Sequence, residues 1–232
     1  RADTLQRQGG YPAPPGSPDD IPGLEFAGVV VAAGERVMGM AVGDRVFGLL
    51  GGGGYASRII THHRMAVKIP AGWDFVQAAA TPEVYLTAYD ALFNRGNLQM
   101  GENVLIHAAG SGVGTAAVQL AHQAGAFVFG TAGSAEKRAG ATDLGMNVGI
   151  NYREQDFAEV IKEVTSGSGV DVLIDFIGAP YWDKNIASLA VLGRLVEVGL
   201  MGGTKMEVDL RPLMAKRLQV CGTGLRGRTL GE

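Results

Sequence analysis

Asn103-Val104-Leu105-Ile106-His107-Ala108-Ala109-Gly110-Ser111-Gly112-Val113-Gly114 is the stretch whose reading decides the fold. Val104 to His107 read as a short buried strand. Ala108 to Gly112 follow as a tight turn of small residues. From Gly112, the spacing of Val113, Ala116, Ala117, Leu120, Ala121 and Ala124 at threes and fours predicts a helix with one apolar face. Strand, glycine turn and helix in that order make a seat for a pyrophosphate. No side chain blocks the turn, and the first helical N–H groups point at the anion. Gly110, Ser111, Gly112 and Val113 are therefore candidate cofactor contacts. The spacing departs from GxGxxG: with Gly110 counted first, Thr115 stands where the third glycine would fall. A glycine turn that binds nothing has the same local sequence, so this stretch sets the fold before it sets a function.

Downstream the pattern alternates between strand and helix. Strands are predicted at Val104 to His107, Phe127 to Gly130, Val148 to Asn151, Val172 to Phe176, Leu195 to Val198 and Leu218 to Gly222. The helix after Asn151 carries Phe157, Val160, Ile161 and Val164 on one stripe. Repeated strand–helix units imply an α/β fold with a parallel sheet covered on both faces. Upstream, Tyr11-Pro12-Ala13-Pro14-Pro15-Gly16 excludes helix and predicts an extended loop. Short strand-like pieces follow at Ala27 to Ala32, Arg45 to Leu50 and Tyr55 to Ile60, punctuated by Gly34, Gly43-Asp44 and Gly51 to Gly54. They suggest a compact β-rich barrel. Thr81 is expected to cap a helix with Pro82 in its first turn, running to about Asn94.

The 232 residues suffice for one large domain or two small ones, and 47% hydrophobic content supports a substantial core. No apolar run approaches the ~20 residues that span a bilayer. A net charge of −3 gives no electrostatic case for nucleic acid or an anionic membrane as partner. Lys216-Arg217 and the pair Arg226, Arg228 read as solvated edges. A single cysteine, Cys221, excludes an intramolecular disulfide and fits a reducing compartment, so a cytoplasmic location is expected.

The turn Ala108-Ala109-Gly110-Ser111-Gly112-Val113-Gly114 resembles the A-A-x-G-G-V-G turn of the zinc-free quinone oxidoreductases in the medium-chain dehydrogenase/reductase superfamily. RADTLQRQGGYPAPPG, GYASRII, QAAATPEVYLTAY, TAGSAEK, YWDKN and GLMGG also have near counterparts there, so the resemblance covers nearly the whole chain. It implies a partial GroES-like β-barrel domain over residues 1–84, followed by a doubly wound Rossmann domain over residues 85–232. Relative to that family the chain reads as shortened at both ends.

The resemblance also bears on metal. Relatives that hold catalytic zinc carry a G-H-E motif. Here the matching residues are Gly23-Leu24-Glu25, and leucine cannot bind metal. The cysteine cluster of a structural zinc lobe is absent as well. His62 and His63 on a strand would face opposite sides and could not chelate together. His107 and His122 read as structural. No metal is expected. Hydride transfer to a plain ketone needs its carbonyl polarised. A quinone, or an alkene conjugated to a carbonyl, is electrophilic by itself, so a zinc-free site fits such acceptors. The resemblance independently implies quinones.

Tyr11 is the candidate polar group at the acceptor, since a phenol can donate to a developing oxyanion. The resemblance places the matching tyrosine at the nicotinamide and substrate, whereas on residues alone Tyr11 reads equally as an exposed loop tyrosine. Ser111 has a family counterpart near the cofactor and is the second catalytic candidate; the plainer reading is a turn serine bonding local backbone. Thr87 resembles a threonine that contacts the nicotinamide carboxamide. Phe176-Ile177 and Leu200-Met201-Gly202 follow the fourth and fifth strands, at the carboxyl ends where an open α/β sheet binds its ligand. The alternative is ordinary turns with Leu200 and Met201 in the core.

NADPH is the expected cofactor. An NAD site carries an Asp or Glu about 20 residues past the glycine turn. Here Thr131, Ala132 and Gly133 stand at that strand end, followed by Ser134 and Lys137 at the start of a helix. Gly133 presents no carboxylate, Ser134 offers a hydroxyl and Lys137 a positive charge. Tyr152 resembles a family tyrosine that closes over the same phosphate. Read plainly, Ser134 is only an N-cap and Lys137 a solvated lysine. The last strand should lie at a sheet edge and pair with a second copy, giving a homodimer, as the resemblance also implies. The readings are an NADPH-dependent quinone oxidoreductase, an alkenal or enoyl reductase of the same superfamily, and an NADPH-binding protein without turnover.

Overall fold

In the computed structural model, which describes residues 2–226 and 228, the chain divides into two units. One takes Arg1–Val84 and the segment from Leu225 onward; the other takes Tyr85–Gly224.

The first unit begins with α1 (Ala2–Arg7) and the proline loop. Three antiparallel strands follow: β1 (Glu25–Val29), β2 (Arg45–Leu49) and β3 (Ala66–Lys68), paired in the order β1-β2-β3. Gly48 is required by the close pairing, because a Cβ there would lie 1.9 Å from the Met65 carbonyl oxygen. The third predicted strand, Tyr55 to Ile60, is irregular backbone; Ala66–Lys68 takes its place against β2. Gly51 to Gly54 explain the failure, since the chain there packs on Gly23 and Pro18 and makes no ladder. Helix α2 (Phe75–Ala79) opens on a capping box between Asp74 and Gln77.

Helix α3 (Pro82–Tyr89) has Pro82 in its first turn, as predicted, but its cap differs. The Thr81 hydroxyl donates back to the Gln77 carbonyl at 2.7 Å. The Glu25 carboxylate instead accepts the Glu83 N–H at 2.9 Å, and burial raises its pKa. The helix then widens into a π turn over Asp90–Arg95, in which the Gly96 N–H reaches the Ala91 carbonyl.

The second unit alternates β4 (Asn103–Ile106), α4 (Gly112–Gln123), β5 (Phe127–Thr131), α5 (Ala135–Asp143), β6 (Val148–Ile150), α6 (Phe157–Val164), β7 (Val170–Asp175), α7 (Trp182–Ser188), β8 (Leu189–Glu197), α8 (Arg211–Lys216) and β9 (Gln219–Gly222). The six strands are parallel in the order β6-β5-β4-β7-β8-β9, so the direction of winding reverses between β4 and β7. That is the doubly wound Rossmann arrangement, with a crevice at the reversal. Alternate residues bury both faces. Leu105, Phe129, Leu173 and Leu195 pack with Phe157 and Ile161 of α6 and Ile186 of α7. Val104, Ile106, Val128, Ile174 and Val196 are equally buried between them in sequence.

On α4 the buried residues are Gly114, Ala116, Ala117, Val118 and Ala121, all small or β-branched, so the helix lies close to the sheet. Phe157 and Ile161 are buried on α6, each worth about 1.5–3 kcal/mol, while Val164 at its end is exposed. Strand β9 stands at the sheet edge, with Val220 41% exposed.

Candidate functional site

The crevice is built first from the glycine turn. The His107 N–H donates to the Ile174 carbonyl at 3.1 Å and the Ala109 N–H to the Thr131 carbonyl at 2.9 Å, so the turn hangs from both neighbouring strands. Ala108 sits in the left-handed region at φ +48°, which costs an L-residue about 1–2 kcal/mol. Ser111 is the N-cap of α4: its Oγ accepts the Gly114 N–H at 3.1 Å. Among the described residues the N–H groups of Gly110, Gly112 and Val113 have no protein acceptor. Ser111 and Gly112 are exposed. Free donors at the start of a twelve-residue helix form a seat for an anion. Ser111 is thus engaged as a cap, with only its hydroxyl proton left to donate.

A second cluster stands at the ends of β5 and β6. Ser134 caps α5, its Oγ accepting the Lys137 N–H at 3.3 Å. The Lys137 stem lies on Gly110: a Cβ there would come within 2.7 Å of the Lys137 Cβ. A Cβ on Gly133 would meet the Tyr152 hydroxyl at 2.7 Å and the Arg153 Nε at 3.0 Å. The structure therefore sets Lys137 against Gly110 and Tyr152 against Gly133, and adds Arg153 beside Gly133. The signal for Arg153 was its place next to Tyr152 at the end of β6. Arg138 was also missed. It runs along Gly149, and its Nη1 is buried without a partner among the described residues. Glu136 is exposed.

The turns after β7 and β8 are zipped to each other. The Met201 N–H donates to the Phe176 carbonyl at 3.1 Å, the Gly202 N–H to the Ile177 carbonyl at 2.8 Å and the Ala179 N–H to the Gly203 carbonyl at 3.1 Å. The backbone donors of Met201 and Gly202 are thus spent internally. Phe176 is buried, and Leu200 and Met201 are about half exposed, at 51% and 45%. The core reading of those two side chains is overturned: they lie on the surface beyond the strand ends.

Beneath these turns runs a row of fully buried polar side chains. The Asp175 carboxylate accepts N–H groups from Ile177 at 2.7 Å and Gly178 at 3.1 Å, and the Asn185 amide at 2.9 Å. The Asn185 oxygen faces His107 Nε2 at 2.8 Å, and His107 Nδ1 faces the Thr131 hydroxyl at 3.0 Å. The Ala108 N–H closes the row on the same hydroxyl at 3.3 Å. Burial holds the His107 pKa below its ordinary value, against the opposing pull of Asp175 and Asn185. Phe157 and Tyr181 pack edge-on against its ring. His107 is structural, as expected.

Glu197 lies opposite Asp175 in the ladder, half-buried, with its Oε2 unpaired among the described residues. Burial, and then the Asp175 charge, push its pKa from 4.5 up to about 7. The folded chain keeps a proton there that the unfolded chain has released. Stability therefore falls as pH rises from about 4.5 through about 7 and stays lowered above. Glu197→Gln is expected to stabilise the fold over wild type at pH 8 by about 1 kcal/mol once solvent screening is allowed for, read as a raised melting temperature, and to change nothing near pH 4. An equal effect at both pH values would show that the carboxyl carries no such proton.

In the first unit, Tyr11 is half-buried with the Arg226 guanidinium over its ring, 4.5 Å from the centroid. Arg226 also donates to the Tyr11 carbonyl at 3.0 Å, to the Gly51 carbonyl at 2.9 and 3.0 Å and to Gln6 Oε1 at 2.7 Å. Burial raises the Tyr11 pKa, Arg226 lowers it and Glu83 raises it. Arg226 is a clamp on the tyrosine loop and not a solvated edge. Lys216 is corrected likewise: its Nζ donates to the carbonyls of Ile186, Ala187 and Leu189 at the end of α7. Thr87 is buried on α3 at 8% exposure. His62 and His63 are not on a strand. They enter a 3₁₀ turn with their rings stacked at 4.5 Å. Among the described residues no three His, Cys, Asp or Glu side chains converge to hold a metal ion, and no helix is long and apolar enough to cross a membrane.

A doubly wound sheet with an anion seat at its reversal, preceded by a small antiparallel unit, defines a dinucleotide-binding oxidoreductase architecture. Residues 1–71 match the alcohol dehydrogenase GroES-like domain family and residues 112–230 the zinc-binding dehydrogenase family. The chain belongs to the medium-chain dehydrogenase/reductase superfamily. It is similar to a solved structure of Escherichia coli quinone oxidoreductase complexed with NADPH, at 36% identity and a TM-score of 0.85, covering 97% of this chain and 69% of that one. It is similar to the CurK enoyl reductase structure at 38% identity and a TM-score of 0.78, covering 89% and 61%. Erythronolide synthase EryA2 of Saccharopolyspora erythraea is 44% identical over 179 residues, which are 76% of this chain and 5% of that protein. The chain thus spans a small part of the synthase it matches. Among the described residues no side-chain set fits the zinc of that family's description.

Proposed function

We propose that this chain carries out NADPH-dependent reduction of quinones without a metal, as a cytoplasmic enzyme. The observation that carries the reading is the cluster at Gly133. Tyr152 and Arg153 stand against a bare strand end with no carboxylate, where a Cβ on Gly133 would fill the space before them, and Lys137 lies nearby against Gly110. That donor set fits a 2′-phosphate, and the N–H groups of Gly110, Gly112 and Val113 fit the pyrophosphate. The bound cofactor would supply a hydride. Leu200 and Met201 offer apolar surface beyond the strand ends, while Gly202 lets Ile177 and Pro180 pack close behind them. The NADPH complex of the similar E. coli enzyme supports the same choice.

Quinones are favoured because, among the described residues, no side-chain set for a Lewis acid converges, and the candidate donors are the Tyr11 phenol and the Ser111 hydroxyl. The stretches quoted for their resemblance to the zinc-free quinone oxidoreductases support this. The second reading, enoyl or alkenal reduction, is favoured by the 38% identity to an enoyl reductase. NADPH oxidation followed with ortho- and para-quinones, an enone and an enoyl thioester separates the two. Turnover confined to the conjugated alkenes would overturn the quinone reading. Tight NADPH binding without any turnover would favour a non-catalytic protein.

Tyr11→Phe keeps the ring under Arg226 and removes the donor. Quinone reduction is expected to slow by about three- to tenfold in kcat, with NADPH affinity close to wild type, because a phenol that stabilises charge only in the transition state acts on kcat. An unchanged kcat would return Tyr11 to a loop-packing role. We also propose a homodimer through β9, whose edge and half-exposed Val220 offer a strand for pairing. Light scattering at micromolar concentration checks this, and a monomer would refute it.

A further inference from the structure

We infer that Thr131, His107, Asn185 and Asp175 form a one-directional hydrogen-bond relay that holds Ala108 in its left-handed conformation, and so positions the glycine turn. The inference rests on the proposed binding of NADPH at that turn. None of the four residues is a cofactor contact; each acts through the backbone it holds.

The direction follows from the acceptor at one end. The Asp175 carboxylate takes three N–H donors, so Asn185 must present its amide NH₂ to it. The Asn185 oxygen then faces His107 Nε2, which must carry the imidazole proton. His107 Nδ1 is left as an acceptor, and the Thr131 hydroxyl must donate to it. The remaining lone pairs of Thr131 take the Ala108 N–H. Every hydrogen along the row therefore points toward Asp175. No member has a second orientation that satisfies all its partners. The four side chains are at most 1% exposed, so water cannot substitute.

Each end of the row grips a turn. At the near end, Ala108 has φ +48°, and the Ser111 N–H bonds its carbonyl at 2.8 Å. A relaxed Ala108 would swing that carbonyl and the N-cap with it. At the far end, the same Asp175 that closes the relay fixes the N–H groups of Ile177 and Gly178. A side chain outside the helix propensity of the turn is thus what keeps a non-glycine residue where glycine would sit unaided.

The test is a cycle between Thr131 and Ala108. Thr131→Val is isosteric and lacks the hydroxyl; NADPH is expected to bind about tenfold more weakly, as one buried N–H and one imidazole nitrogen lose their partner. Thr131→Ser keeps the hydroxyl and is expected to bind as wild type. In an Ala108→Gly background, Thr131→Val is expected to cost less than about twofold, because glycine adopts this conformation without help. A purely structural threonine would cost the same in both backgrounds, and that result overturns the relay. So does a Thr131→Val protein that binds as tightly as wild type. Hydrogen exchange of the 108–114 amides in the cofactor-free chain separates the relay from the function. Faster exchange in Thr131→Val, reversed by Ala108→Gly, upholds the relay even where wild type fails to bind NADPH and the proposed function falls. Unchanged exchange rejects it.

Discussion

Gly114→Ala is expected to destabilise the second unit by about 2–3 kcal/mol and to weaken NADPH binding by more than tenfold. The position is helical, and in an open helix alanine would gain about 1 kcal/mol over glycine. Here a Cβ would lie 2.3 Å from the Ala108 carbonyl oxygen, 2.8 Å from the Ala109 Cα and 2.9 Å from its carbonyl carbon. All three are backbone atoms of the turn, so no side chain can swing aside. The helix would have to lift from β4, carrying the N–H groups of Gly112 and Val113 with it. Gly140→Ala is the control. Nothing lies within 4 Å of a Cβ there, and the residue is exposed on α5, so a gain of about 0.5–1 kcal/mol is expected. Thermal melting and a cofactor titration read both. A Gly114→Ala protein as stable as wild type would mean that α4 does not press on the turn.

Lys137→Ala is expected to weaken NADPH by about tenfold or more and to leave NADH nearly unchanged, since a charge-assisted contact contributes roughly 1.5–3 kcal/mol. The structure adds a complication that the sequence did not show. The Lys137 stem covers Gly110, so alanine removes packing on the pyrophosphate turn as well as charge. Lys137→Met keeps most of the stem and isolates the charge. Met and Ala variants that discriminate between the two cofactors equally would assign the effect to the ammonium group. Equal loss of NADPH and NADH in both, or a wild-type preference for NADH, would show that no phosphate is read at this place.

Most of the second unit was legible because its signals are local. Six apolar runs, most with a glycine at or just past the end, gave six parallel strands, and the boundaries moved by a few residues at most of them. The largest error was β8, which starts at Leu189; a bulge and the left-handed Leu192 hide its first half from any period of two. The glycine count also misled. Counting from Gly110 put Thr115 at the third place, whereas Gly114 is the residue pressed against the turn.

The first unit was harder to read because its stability comes from distant partners. Glu25 caps a helix 58 residues away, and Arg226 reaches 215 residues back to Tyr11. Neither has a spacing to detect. The polar row at Asp175 was invisible for the same reason: His107 and Asn185 are 78 residues apart, and each alone reads as an ordinary buried polar residue.

The Arg226 clamp has a consequence for the order in which a growing chain acquires its structure. The second unit is one uninterrupted stretch, and its last strand ends at Gly222, so it can close as soon as that strand emerges. The loop bearing Tyr11 is made 215 residues before its clamp, and the whole second unit is translated in between. Until then the carbonyls of Gly51 and Tyr11 wait in water without the guanidinium that bridges them. A nascent chain stalled before Arg226 should therefore hold a finished nucleotide unit beside a protease-sensitive tyrosine loop.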